Sequence, residues 1–129
     1  MSTNQPTDPR PGVWIGHVVL QVPEPARSRQ FFIGLGMRDL GHDGQVAILE
    51  LRGGTHLLLL PTVASVAAGT PAPFDLMVDD LEASREQLSR LGLAPSRIEE
   101  SEYHRFFTIP EPGGYLVTVH SSHVSGSPV

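Results

Sequence analysis

Residues 18–37 read VVLQVPEPARSRQFFIGLGM and residues 74–93 read FDLMVDDLEASREQLSRLGL, and the two runs superpose when the chain is shifted by 56 positions. Val22 then falls on Val78, Ser28 on Ser84, Arg29 on Arg85, Phe32 on Leu88, Leu35 on Leu91, Gly36 on Gly92 and Met37 on Leu93. Each run is a β-branched or apolar strand pattern followed by a helical one. The chain therefore consists of two copies of a strand-plus-helix unit, and such duplication directs attention to the space between the copies.

Working outward, the first run is preceded by Trp14–Gly16 and broken by Pro23 and Pro25, which stop a strand and open a helix over about Pro25–Gly34. Three strands follow, near residues 37–41, 45–51 and 55–60, punctuated by Asp43-Gly44 and Gly53-Gly54, both hairpin signals. Residues 61–73, PTVASVAAGTPAP, have no amphipathic period and read as the connector. The second copy has a strand at 74–78, an Asp79 or Asp80 cap and a helix to about Leu91 that buries Leu81, Leu88 and Leu91. Strands near 96–100, 103–109 and 115–120 complete it, with Pro110-Glu111-Pro112-Gly113-Gly114 as the last turn. The expectation is an α+β fold: two βαβββ modules forming a cupped, mostly antiparallel sheet with helices on the outer face. In residue terms this is a flexible tail at 1–12, one domain at 13–121 (module one 13–61, linker 62–72, module two 73–121) and a C-terminal tail at 122–129.

Composition narrows the classes of function. The 129 residues suffice for one shared core and not for two independent ones. There is no cysteine, which excludes disulfides and thiolate chemistry and fits a reducing, cytoplasmic setting. A net charge of −5 with no basic block argues against nucleic acid, and the longest apolar run, Leu57–Leu60, is too short for a membrane. No Walker lysine or nucleophile elbow is present.

Strand parity sorts the candidates for a site. Val18, Leu20 and Val22, with Phe74, Leu76 and Val78, form apolar sets suited to backing the helices. His17, Gln21 and Asp75 are left on the opposite face. In the last strands, aligned with an offset of 60, Leu57, Leu59, Val117 and Val119 take one face, and His56, Leu58, Leu60, Leu116, Thr118 and His120 the other. His17, Gln21, His56, Asp75, Thr118 and His120 thus become the candidate pocket, polar groups among aliphatic ones. His42, His104 and His123 are assigned to the surface, Asp75 to a pair with Arg97 or Arg105, and Arg29 and Arg85 to solvated helix faces.

The segments GHVVLQVPEPARSRQFFIGLGM, FDLMVDDLEASREQLSRLGL and FFTIPEPGGYLVTV resemble the glyoxalase, bleomycin-resistance and extradiol-dioxygenase superfamily, also called vicinal oxygen chelate proteins. The resemblance spans roughly residues 14–120. It implies paired βαβββ modules, frequently in a homodimer, and in metal-dependent members a divalent ion held by His, Gln or Glu from the first and last strands of each module. Those positions fall here on His17, Leu58, Pro73 and Thr118, so one of the four keeps a competent ligand. Two functions follow as expectations. The first is a small-molecule binding protein, likened to relatives that sequester antibiotics at a dimer interface, without the usual metal. The second is a lyase, isomerase or dioxygenase dependent on one zinc, iron, manganese or nickel ion, with His17 and His120 as ligands and Asp75 or His56 assisting.

Overall fold

The computed structural model describes residues 7–129. The expected tail at 1–12 therefore lies partly outside the described residues. Two α-helices and two mixed sheets, with a short 3-10 turn at Arg52–Gly54, make up the described residues. Sheet A contains β1 (His17–Val22), β2 (Arg38–Asp43), β3 (Val46–Glu50) and β4 (His56–Pro61) in the order β1-β4-β3-β2. Sheet B contains β5 (Thr70–Pro71), β6 (Leu76–Val78), β7 (Glu99–Glu100), β8 (Arg105–Pro110) and β9 (Tyr115–Ser121). In each module the first strand pairs in parallel with the last, β1 with β4 and β6 with β9, while the intervening hairpins are antiparallel.

Helix α1 (Pro25–Gly34) begins with proline at its first position, where the missing N–H costs nothing. It ends as the repeat requires: Met37 N–H reaches Phe32 C=O at 3.1 Å and Gly36 N–H reaches Ile33 C=O at 3.0 Å. Helix α2 (Leu81–Arg90) ends in the same way, Leu93 to Leu88 at 3.1 Å and Gly92 to Ser89 at 3.0 Å. Both terminal glycines have positive φ, 111° and 77°, the left-handed turn that closes a helix at little cost only for glycine. At its other end α2 is capped by Asp80, whose carboxylate accepts from Ala83 N–H at 3.0 Å.

One core joins the modules. Phe31 and Phe32 of α1, Leu81 and Leu88 of α2, and Leu20, Val22, Leu49, Leu57, Leu59, Phe107, Ile109, Val117 and Val119 from the sheets are all buried in it. Hydrogen bonds cross the boundary too. Ser28 of α1 donates to the carboxylate of Glu111 in the β8–β9 turn, that carboxylate also accepts from Gly113 N–H at 2.8 Å, and the Tyr115 hydroxyl donates to Gln21 C=O at 2.8 Å. Both Ser28 and Glu111 are buried, so this polar contact is sealed within the apolar packing.

Several expected details differ. The connector holds β5, and the strand expected at 74–78 begins only at Leu76, because Pro71 and Pro73 cannot donate to a ladder. The strand expected at 96–100 contracts to Glu99–Glu100; Ser96 still donates its N–H to Thr108 C=O at 2.8 Å, but its side chain rather than its carbonyl accepts Thr108 N–H, at 2.9 Å. Leu91 is not a core residue: it lies past the end of α2 and is 51% exposed. Arg85 is not simply solvated, since it donates to Ser96 C=O at 2.6 Å and pins the loop after α2.

Candidate functional site

The helix-free faces of the sheets carry the candidate residues. In β1, Leu20 and Val22 are buried while His17, Val19 and Gln21 are exposed. In β4, Leu57 and Leu59 are buried and His56, Leu58 and Leu60 are half-buried; β9 likewise buries Val117 and Val119 and leaves Leu116, Thr118 and His120 half-buried. The period of two is thus followed on both modules, and the opposite face is the more exposed one.

On sheet A the strand register assembles a polar row across all four strands. His17 is opposite His56, His56 opposite Glu50, and Glu50 opposite Arg38. The imidazoles of His17 and His56 are 6.2 Å apart, His56 Nε2 is 3.1 Å from Glu50 Oε2, and Arg38 donates to Glu50 Oε1 at 2.7 Å. Beyond this row the face turns aliphatic, with Val19, Leu58 and Ile48 side by side. A hollow of about 430 Å³ opens at the row's far end, against Arg38, Glu50, Arg52 and the Gly53-Gly54 turn.

On sheet B the polar groups gather at the other end of the strands. His120 lies between Met77 and Phe106 in the register, and its Nε2 is 3.1 Å from Asp75 Oδ2. Since a carboxylate can only accept here, His120 Nε2 carries the hydrogen. Asp75 thus pairs with His120, whereas Arg97 meets Glu99 and Arg105 meets Glu82 and Glu100. The next row inward is Thr118 opposite Thr108.

Under the repeat, His120 of sheet B corresponds to Leu60 of sheet A, which lies beside Gln21 and four residues along β1 from His17. The two polar ends are therefore not equivalent, separated by about 13 Å of strand in the repeat frame. Among the described residues no group of three or more His, Asp or Glu side chains is set to hold a metal ion. The positions that the resemblance gives to ligands fare no better, since Pro73, Leu58 and Thr118 offer at most one neutral hydroxyl, a poor donor for a divalent ion. A second hollow, of about 190 Å³, lies between Val18, Leu57, Phe74 and Leu76, and Asp75 also lines it.

Two residues assigned to the surface prove to be part of an assembly. The His104 ring is 4.7 Å from that of His120 and 4.9 Å from that of His123. Counting outward from the β8–β9 turn would have found it, because pairing Phe106 with His120 places residue 104 at the level of residue 122. His42, as expected, is exposed, and its Nδ1 lies 3.2 Å from the nearby Gly44 C=O.

Arginine pairs around the rim set the remaining electrostatics. The Arg52 guanidinium holds the Asp79 carboxyl below its ordinary range, tying the end of β3 to the start of α2. Arg29, helped by Gly41 N–H, does the same to Asp39.

No protein-family model and no curated protein sequence matches the chain. Solved structures do. The chain superposes on a lactoylglutathione lyase from Agrobacterium tumefaciens with a TM-score of 0.71 and 16% identity, covering 91% of this chain and 99% of that one. A member of the glyoxalase/bleomycin resistance protein/dioxygenase superfamily from Sphaerobacter thermophilus gives 0.69 and 14%, over 85% and 98%. A possible glyoxalase from Bacillus cereus gives 0.66 and 20%, over 84% and 99%.

Proposed function

We propose that this chain, which has the fold of the glyoxalase/bleomycin resistance/dioxygenase superfamily, binds a small organic molecule on the open faces of its sheets without the divalent metal common among proteins of that fold. One observation supports the reading: the open face presents apolar contact area while three of the four ligand positions, Leu58, Pro73 and Thr118, carry no imidazole, carboxylate or amide donor. Val19 and Met77 remain 45% and 46% exposed there, beside Leu58, Phe106, Gln21 and Thr118. Aliphatic and aromatic contact area with a few polar anchors suits a ligand that is mainly apolar and carries hydrogen-bonding groups. His17, Gln21, His56, Asp75, Thr118 and His120 are the proposed anchors.

The first described hollow only abuts the end of the polar row at Arg38 and Glu50, the second lies among Val18, Leu57 and Leu76, and of the six anchors only Asp75 lines either. The reading therefore includes a homodimer, in which a second copy covers the open face and completes the cup. Burial of Val19 and Met77 in that arrangement supplies a driving force of about 25 cal/mol per Å² of apolar surface.

Thermal unfolding of the untagged protein against a library of metabolites and antibiotics tests the proposal. A ligand at a hundredfold excess over its Kd stabilises by about 2.7 kcal/mol. With an unfolding entropy of about 0.27 kcal/mol per kelvin for 129 residues, Tm rises by about 10 °C. Val19→Glu and Met77→Glu are expected to abolish the shift while leaving the fold intact. Near-stoichiometric metal in the purified protein that disappears in His17→Ala would overturn the reading in favour of a metal-dependent lyase, isomerase or dioxygenase.

A further inference from the structure

At the end of sheet B three imidazoles meet: His104, just before β8, His120, near the end of β9, and His123, in the segment that follows β9. Two of their nitrogens are anomalous. Nδ1 of His104 and Nδ1 of His120 are both shut off from water, and neither has a hydrogen-bond partner. Buried polar atoms left unpaired are uncommon because each forfeits its hydration with nothing in return. Here two occur on adjacent rings.

Asp75 determines what the His120 atom can do. By accepting the Nε2 hydrogen at 3.1 Å it leaves Nδ1 as a bare lone pair. A carboxylate behind one imidazole nitrogen is also the arrangement that orients a metal-bound histidine and raises its basicity. Nδ1 of His120 faces away from the solvent and so is badly placed to take a proton from a ligand in the cup. It is well placed to receive a small cation.

We propose that His104 and His120, joined by His123, bind one divalent transition-metal ion, zinc or a neighbour such as cobalt or nickel, with Asp75 as the orienting group of His120. Imidazole donors select these ions over calcium and magnesium. As they stand the rings do not converge into a complete set. Zinc holds nitrogens at about 2.0–2.1 Å, and therefore about 3.3 Å from one another. With ring centroids 4.7 Å apart, binding would require the His104 and His120 rings to tilt until two nitrogens reach that spacing, and the exposed His123, carried by the C-terminal segment rather than a strand, would move in as the third. Solvent completes the tetrahedron. The ion would order the chain end against β8. This inference shares Asp75 and His120 with the small-molecule reading but not His104 or His123, whose substitution separates the two, and none of the three ligands occupies a position that the family resemblance assigns to metal.

Calorimetric titration of the full-length, untagged protein with zinc chloride, and with cobalt chloride for its visible spectrum, tests it. One ion per chain is expected, with no heat from magnesium. His104→Ala and His120→Ala should each weaken binding by at least about a hundredfold, and His123→Ala and Asp75→Asn by about 10- to 100-fold. His17→Ala, His56→Ala and His42→Ala should leave it unchanged within about twofold. Because His123 is exposed and outside the sheet, its substitution cannot act through loss of fold; circular dichroism checks the other variants. In imidazole ¹⁵N spectra, zinc should shift Nδ1 of His104 and His120. Absence of binding at millimolar zinc overturns the proposal, as does binding that survives His104→Ala and His120→Ala or is lost in His17→Ala. A zinc-insensitive spectrum in which one proton is shared between the two Nδ1 atoms would equally refute it.

Discussion

Replacing Ser28 by alanine removes one of the two donors to a buried carboxylate. Ser28 is 1% exposed and Glu111 3%, and the hydroxyl of the first meets Oε1 of the second across the boundary between modules. After the substitution, Gly113 N–H, at 2.8 Å from Oε2, is the remaining contact within the turn. A hydrogen bond to a charged group contributes about 1.5–3 kcal/mol, and an unpaired buried acceptor loses at least as much. At about 0.27 kcal/mol per kelvin for this chain length, Tm should fall by about 6–11 °C. Urea unfolding followed by circular dichroism should show a lower midpoint at unchanged slope. The double variant Ser28→Ala/Glu111→Leu decides the mechanism. If the penalty comes from an uncompensated carboxylate, removing that carboxylate relieves it, and the double variant should be more stable than the sum of the single effects by about 1 kcal/mol or more. Additivity within about 0.5 kcal/mol, or a Ser28→Ala cost below that figure, would show that the carboxylate is satisfied in some other way.

Gly114 has φ +115°, and a Cβ there would lie 2.5 Å from the Val66 carbonyl oxygen, so Gly114→Ala should cost more than about 4 kcal/mol and collapse the soluble yield. Gly44→Ala, at φ +61° in open space, is the control, with a cost of about 1–2 kcal/mol in the same unfolding assay. Asp80→Ala removes the α2 cap and should lower stability by about 1 kcal/mol, about 4 °C in Tm, with no such change for Asp79→Ala, whose partner is the exposed Arg52. Asp39 titrates below its ordinary range because of Arg29 first and Gly41 N–H second. Its stabilising contribution is therefore complete above the unfolded carboxylate value and disappears as pH falls through the depressed folded one. Carbon-detected NMR titration should find the Asp39 value rising in Arg29→Gln, and the stability gap between the two proteins closing toward low pH.

Much of this was legible in the chain because local chemistry and tertiary packing agree. Pro25 and the glycines at 34 and 36 delimit α1 in sequence and in space, and the apolar alternation of β1, β4 and β9 marks the faces that the core covers. Periodicity failed where packing overrode it. Leu91 fits a helical stripe, but the left-handed turn at Gly92 ends the helix before that residue can point inward. The polar row on sheet A depends on register: His17, His56, Glu50 and Arg38 align only once β1 is known to run parallel to β4. His104 looked peripheral for the same reason, since its neighbours His120 and His123 are far away in sequence and near only through the β8–β9 hairpin.

One edge strand of each sheet, β2 in sheet A and β7 in sheet B, constrains how copies can associate. β2 carries Arg38, Asp39, His42 and Asp43 with a bulge between Asp39 and His42, and β7 is two glutamates long. Charge, kinking and brevity all discourage an incoming strand from extending the ladder. Crowded solutions of this protein should accordingly resist fibril growth from those rims.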